Sequence, residues 1–161
     1  MKITTMGALA AIALLAACAK KPADSGMQTG ANTQATTTAP GITPGTQEDL
    51  VANVGDRVFY ELNRSTLSDE AQATLGKQAI WLAKYPSVQV QIAGNCDERG
   101  TEEFNIALGN RRASAARDFL VAKGVSKSRI STISYGKDRP VALGSDETAW
   151  AQNRNAITSV K

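Results

Sequence analysis

Asp97 and Arg112 are the two charged side chains of this chain whose setting could do chemistry together. They lie in the stretch 94–113, G-N-C-D-E-R-G-T-E-E-F-N-I-A-L-G-N-R-R-A, between a short apolar strand and a helical run. A carboxylate and a guanidinium brought to one end of a strand can pair with each other and hold loop to helix. They can also each take one end of a zwitterion, the ammonium at Asp97 and the carboxylate gripped bidentately by Arg112. The two roles are compatible, since the pair would preorganise the site, and the residues alone leave both open.

Gly109 bears on that choice. An interior glycine costs a helix about 1 kcal/mol relative to alanine. The sequence therefore predicts that a short first piece ends near Leu108 and that Gly109 caps the main helix. Asn110, Arg111 and Arg112 would then occupy a first turn, where free N–H groups and the helix dipole favour an anion. Arginine there is unfavourable for the helix alone, and a bound carboxylate would reverse that penalty. Glu98, Arg99, Glu102 and Glu103 read as a solvated rim, and Cys96 as a packed small residue with no activating base.

Composition removes other chemistries. The chain of 161 residues has no histidine, which excludes His-based catalysis and His-ligated metal. Two cysteines without histidine do not make a structural zinc site. No metal and no cofactor are expected. The net charge is +3, and Arg111, Arg112 and Arg117 are interleaved with Glu102, Glu103 and Asp118. That is a mixed surface and no nucleic-acid stripe.

The elements that would position Asp97 and Arg112 follow from periodicity. Residues 57–62 form a strand candidate. Ser68 is an N-cap followed by Asp69 and Glu70, and Ala71, Leu75, Ala79 and Leu82 make one apolar helical face that Pro86 helps to end. Residues 87–93, S-V-Q-V-Q-I-A, alternate as a half-buried strand. The long helix shows Ala115, Phe119 and Ala122 on one side and is closed by Gly124. Residues 129–135 are a third strand, 146–153 a short helix and 156–160 a last strand. The order β-α-β-α-β-(α)-β predicts an α/β two-layer sandwich with helices packed on one mixed sheet. Strand order is not readable. Trp81 and Trp150 read as core or rim packing.

Ahead of this region the composition changes. Lys2 precedes an uncharged run, 6–17, of signal-peptide length and too short to span a bilayer, which takes roughly 20 residues. It ends Leu15-Ala16-Ala17-Cys18, which resembles a bacterial lipobox. Residues 1–17 are thus expected to be a lipoprotein signal peptide, and Cys18 the lipidated first mature residue. More than one acyl chain gives stable anchoring. The residues after it, Ala19 and Lys20, imply sorting to the outer membrane, facing the periplasm. Residues 18–50 are rich in Thr, Ala, Gly, Gln and Pro and read as a disordered tether, spanning roughly 30 Å root-mean-square. The folded domain is expected at 51–161.

The stretch 94–116, with G-D-R-V-F-Y at Gly55, Q-A-I-W-L at Gln78, I-S-Y-G-K-D-R-P at Ile133 and W-A-Q-N-R at Trp150, resembles the OmpA-like peptidoglycan-binding domain family. The likeness covers the whole folded region. It implies an OmpA-like sandwich and, as ligand, the meso-diaminopimelate of the peptidoglycan stem peptide, whose side chain ends in its own ammonium and carboxylate. It matches Asp97 and Arg112 to ligand-binding positions and Leu108 to one whose backbone contacts the ligand. Leu62 and Asn63 match the first-strand loop that lines the pocket, and Asn105 the Asn of an N-x-x-L-x-x-x-R-A pattern. Three positions depart: Asn63 stands where many members have Asp, Asn95 where many have His, and Asn155 replaces the second Arg of a terminal N-R-R that Arg154 begins. The resemblance implies a non-catalytic link between outer membrane and cell wall, with TolB of the Tol system as a further partner and a role in envelope integrity and cell division. A protein-interaction module with weak wall binding is the alternative. A wall hydrolase is not expected, because glycosidase carboxylates face each other about 5–9.5 Å apart, whereas Asp97 and Glu98 are adjacent in one loop.

Overall fold

The structure is a computed structural model that describes residues 41–161. The signal peptide, Cys18 and most of the tether lie outside the described residues.

Four strands form one sheet in the order β1-β4-β2-β3, with β1 Arg57–Phe59, β2 Val90–Asn95, β3 Ile130–Gly136 and β4 Asn155–Val160. β2 pairs with β3 in parallel and with β4 antiparallel, and β1 pairs with β4 antiparallel, so the sheet is mixed as expected. Helices α1 Gln47–Asn53, α2 Asp69–Lys84, α3 Glu102–Ala122 and α4 Glu147–Asn153 complete the fold. The apolar sets decide the layers. Ala71, Leu75, Ala79 and Leu82 of α2 are all buried, as are Val90 and Ile92 of β2, where the period of two turns alternate residues inward. Ser68 caps α2 by accepting from the Ala71 N–H, and Tyr85, just before Pro86, ends it. β2 begins at Val90, three residues after the alternating stretch does.

Three expectations are corrected. The first is the helix break. α3 runs unbroken through Gly109 from its N-cap Thr101, which accepts from the Phe104 N–H. Gly109 is there for packing. A Cβ at Gly109 would overlap Ser134 and the Gly94 backbone, and one at Gly94 would fall inside the Gly109 carbonyl. Two glycines let helix and strand touch backbone to backbone, at the usual helical cost. Arg111 and Arg112 are accordingly mid-helix, and no free first-turn N–H groups surround them.

The second is the buried face of α3, made of Asn105, Leu108, Gly109, Arg112, Ala113, Ala116 and Leu120. Ala115 and Phe119 are half-buried and Ala122 is exposed, about one residue around the helix from the expected stripe.

The third is the start of the domain. α1 takes residues 47–50 out of the expected tether and puts Leu50 fully in the core. Thr46 caps it, accepting from the Asp49 N–H at 3.4 Å. Asp49 accepts from Trp81 Nε1 at 2.9 Å, and Gln47 Oε1 from the Val160 N–H at 2.7 Å. The polar composition of 18–50 concealed this, because a seven-residue helix with one core leucine leaves little periodic signal.

Candidate functional site

The end of β2 collects the residues of interest. Gly94 and Asn95 carry a register shift against β3, and the chain then turns through Cys96 and Asp97 before Thr101 starts α3. Four contacts fix this loop. The Cys96 N–H donates to the Gly136 carbonyl at 2.7 Å. Asn105, buried in the first turns of α3, donates through Nδ2 to the carbonyls of Arg99 and Thr101 at 2.9 and 3.1 Å. Lys137 Nζ donates to the Gly100 carbonyl at 2.9 Å. The Cys96 thiol lies 3.4 Å from the Asn105 carbonyl, and burial pushes its pKa up, away from thiolate reactivity.

Asp97 is 4% exposed and its carboxylate is saturated. Oδ1 accepts from the Arg99 N–H at 3.2 Å and Arg99 Nε at 3.3 Å, and Oδ2 from Arg99 Nη2 at 2.6 Å and Arg154 Nη1 at 3.3 Å. Burial alone would raise the Asp97 pKa. The hydrogen bonds from Arg99 and Arg154 outweigh it and hold the carboxyl below its usual value. Arg154 is itself buried at the start of β4. It donates through Nε to the Tyr60 carbonyl at 3.1 Å and through Nη2 to Glu147 at 2.6 Å.

Arg112 has no exposed surface. Its guanidinium donates to three main-chain carbonyls: Nε to Arg64 at 2.9 Å, Nη1 to Asn95 at 2.7 Å and Nη2 to Glu61 at 3.0 Å. The Tyr60 ring lies 5.2 Å from it, and the Tyr60 hydroxyl donates to the Arg112 carbonyl at 2.9 Å. Burial lowers the Arg112 pKa from its very high starting point. Asp97 and Arg112 do not form the direct ion pair that a folded-back loop would allow. They meet at the same end of β2, where Arg112 holds the Asn95 carbonyl two residues before Asp97. Three of the five guanidinium N–H groups are committed to carbonyls, which leaves two for another acceptor.

The carbonyls of Glu61 and Arg64 belong to the loop after β1. There the Arg64 N–H closes a turn on the Glu61 carbonyl at 3.1 Å, with Leu62 and Asn63 at its exposed corner. Asn63 has φ +55°, the left-handed region that Asn and Asp tolerate better than most residues. Leu108 is buried one helical turn before Arg112. The structure thus brings Leu62, Asn63, Asp97, Asn105, Leu108 and Arg112 to one end of the sheet. Within that set, Asn105 fastens the loop from inside. A cleft of about 600 Å³ adjoins this end through Glu61 and Arg154, but neither Asp97 nor Arg112 lines it.

Two features lay beyond the sequence reading. Arg99, read as rim, is the main partner of Asp97 and lies over Trp150, 4.0 Å from the ring centroid. Trp150 donates through Nε1 to Glu98 at 3.0 Å. These residues are about fifty positions apart, and nothing local signals the contact. The departures Asn95 and Asn155 prove to be one feature. Both are buried, and Asn95 Nδ2 donates to Asn155 Oδ1 at 2.8 Å while Asn155 Nδ2 donates to the Gln152 carbonyl at 2.6 Å, which leaves Asn95 Oδ1 without a partner among the described residues.

The OmpA family model matches residues 59–154. The chain belongs to the OmpA family. Its match to the OmpA family runs from the last residue of β1 to the residue before β4 and takes in Leu62, Asn63, Asp97, Asn105, Leu108 and Arg112. The chain is 47% identical over 156 residues to the peptidoglycan-associated lipoprotein of Mesorhizobium japonicum, covering 96% of this chain and 90% of that one. It is 53% identical over 120 residues to that of Rhizobium meliloti, covering 74% and 68%. The crystal structure of the peptidoglycan-associated lipoprotein from Burkholderia pseudomallei superposes with a TM-score of 0.64 at 42% identity, covering 66% of this chain and 90% of that chain. The C-terminal domain of Helicobacter pylori MotB shares the OmpA fold at 19% identity and a TM-score of 0.62.

Proposed function

We propose that this protein binds peptidoglycan non-covalently through the diaminopimelate of the stem peptide, with the ligand ammonium at Asp97 and its carboxylate within reach of Arg112. The observation that carries the reading is Asp97: an ionised carboxylate at 4% exposure, held at a loop end beside a second buried cation. A carboxylate in that position is suited to exchanging one cationic partner for another. The names of the relatives, which associate them with peptidoglycan, give the polymer. Leu62 and Asn63, at the exposed corner of the turn that Arg112 holds, line the approach, and Leu108 and Asn105 set the helix and loop around it.

The rest of the proposal concerns place. Cys18 carries the lipid, residues 18–46 form the tether, and the domain begins at α1, so that wall and outer membrane are linked without catalysis. TolB is a second partner in this reading, and the TolB-binding module with weak wall binding is the alternative. Pull-down of the full-length protein on purified peptidoglycan tests the site. Asp97→Asn should abolish retention while circular dichroism shows the fold intact, and undiminished retention overturns the assignment. Free stem peptide should compete, and muropeptide profiles should be unchanged after incubation. Cys18→Ser should move the protein from the membrane to the soluble fraction.

A further inference from the structure

The Asp97 carboxylate has four N–H donors around it, and Arg99 supplies three of them. The two arginines on Asp97 are differently held. Arg154 is buried and fastened at both other ends by the Tyr60 carbonyl and Glu147. The Arg99 side chain is 33% exposed, and among the described residues its guanidinium hydrogen-bonds Asp97 alone. Other groups already flank the same guanidinium while it bonds Asp97: the Trp150 ring lies 4.0 Å from its carbon, and Glu147 Oε2 lies 3.9 Å from Nη2.

We propose that Arg99 is a resident competitor, occupying the face of the Asp97 carboxylate that a ligand ammonium takes and withdrawing onto Trp150 and Glu147 when the ammonium arrives. The inference rests on the ligand reading given above. A carboxylate this buried is costly unless fully paired, and Arg154 reaches it with one N–H at 3.3 Å, so the empty site needs a second cation. A fully fastened arginine would close the site, whereas an exposed one with a neighbouring seat can exchange. The exchange replaces one charge-assisted contact by another, so each stem peptide is held reversibly. It also makes the site selective for charge. A neutral or N-acylated amine cannot replace the guanidinium, because it would leave the buried Asp97 with only the Arg99 N–H and Arg154 as donors.

The test uses full-length wild type, Arg99→Ala, Arg99→Lys and Trp150→Phe, with a diaminopimelate-containing stem peptide as probe. Calorimetry measures affinity and tryptophan emission follows the Arg99 seat. Trp81, buried and bonded to Asp49 far from the loop, is a constant background. Removing the competitor should tighten binding by about tenfold, the scale of one charge-assisted contact, even if the melting temperature falls. Arg99→Lys keeps a cation on Asp97 and should stay within about threefold of wild type, which is about 0.7 kcal/mol. Ligand should change the emission of wild type, and neither Arg99→Ala nor Trp150→Phe should show that change. Equal or weaker binding by Arg99→Ala overturns the proposal and makes Arg99 a structural or ligand-holding residue, while leaving the ligand reading in place. Absence of binding by wild type overturns both.

Discussion

At the scale of single residues, the two charges of the candidate site are held in different ways. Arg112 ties the loop after β1 to the end of β2 through three carbonyls, so its loss leaves buried acceptors unpaired. Arg112→Ala should lower stability by at least about 3 kcal/mol, or roughly 10 °C in melting temperature, together with wall binding. A lowered midpoint in urea with unchanged slope would identify this as lost stability. Asp97→Asn should abolish binding and also lower stability, because it removes the charge that pairs the buried Arg154. The Asp97 carboxyl titrates lower in the folded chain than its unfolded value of about 3.9. Its contribution to stability is therefore complete above about pH 4 and is lost as the pH falls through the folded value. Acid unfolding followed by circular dichroism should show a shallower loss below pH 4 in Asp97→Asn than in wild type. That Asp97 and Arg112 lie at one end of a strand was legible in their types and spacing. The partners were not, because Glu61, Arg64 and Asn95 offer backbone carbonyls, which every residue has. Arg99 looked like rim because its seat, Trp150, belongs to a distant helix.

At the scale of elements, the informative position is Gly109. The sequence marked it as exceptional and suggested a helix end, since local propensity carries no information about what lies across the interface. The structure puts the backbone of β2 there. Gly109→Ala should improve helix propensity by up to about 1 kcal/mol and still destabilise the protein by about 2 kcal/mol net, because the new methyl meets main chain, which no rotamer change can relieve. Thermal melts of Gly109→Ala and Gly94→Ala check this, and stabilisation in either would contradict the packing account. The faces of α2 and β2 were legible because three or four apolar residues repeat at one period. The face of α3 was displaced because its buried side includes Gly109 and Arg112, which a hydrophobic pattern does not count. α1 was missed for the same kind of reason: Leu50 alone marks its inner side.

At the scale of the whole described domain, α1 completes the core from one end. Leu50→Ala should cost about 2–5 kcal/mol, as for other fully buried leucines. A chain beginning at Val51 should melt well below one beginning at Thr43. Equal melting temperatures would mean that α1 is an appendage and that the domain starts where the sequence suggested.

The position of α1 has a mechanical consequence. Its polar contacts are with Trp81 near the end of α2 and with Val160 at the end of β4, while Asp97 and Arg112 lie beyond the opposite end of β2. A pull between the incoming chain and a ligand on Asp97 would therefore run lengthwise along the strands. Ladder hydrogen bonds lie across the antiparallel strands, so such a load shears the β2–β4 ladder as a set and does not unzip it bond by bond. The first element under tension is α1, held by one leucine, Asp49 and Gln47. Under the tether and ligand reading proposed above, α1 would take such a load ahead of the sheet.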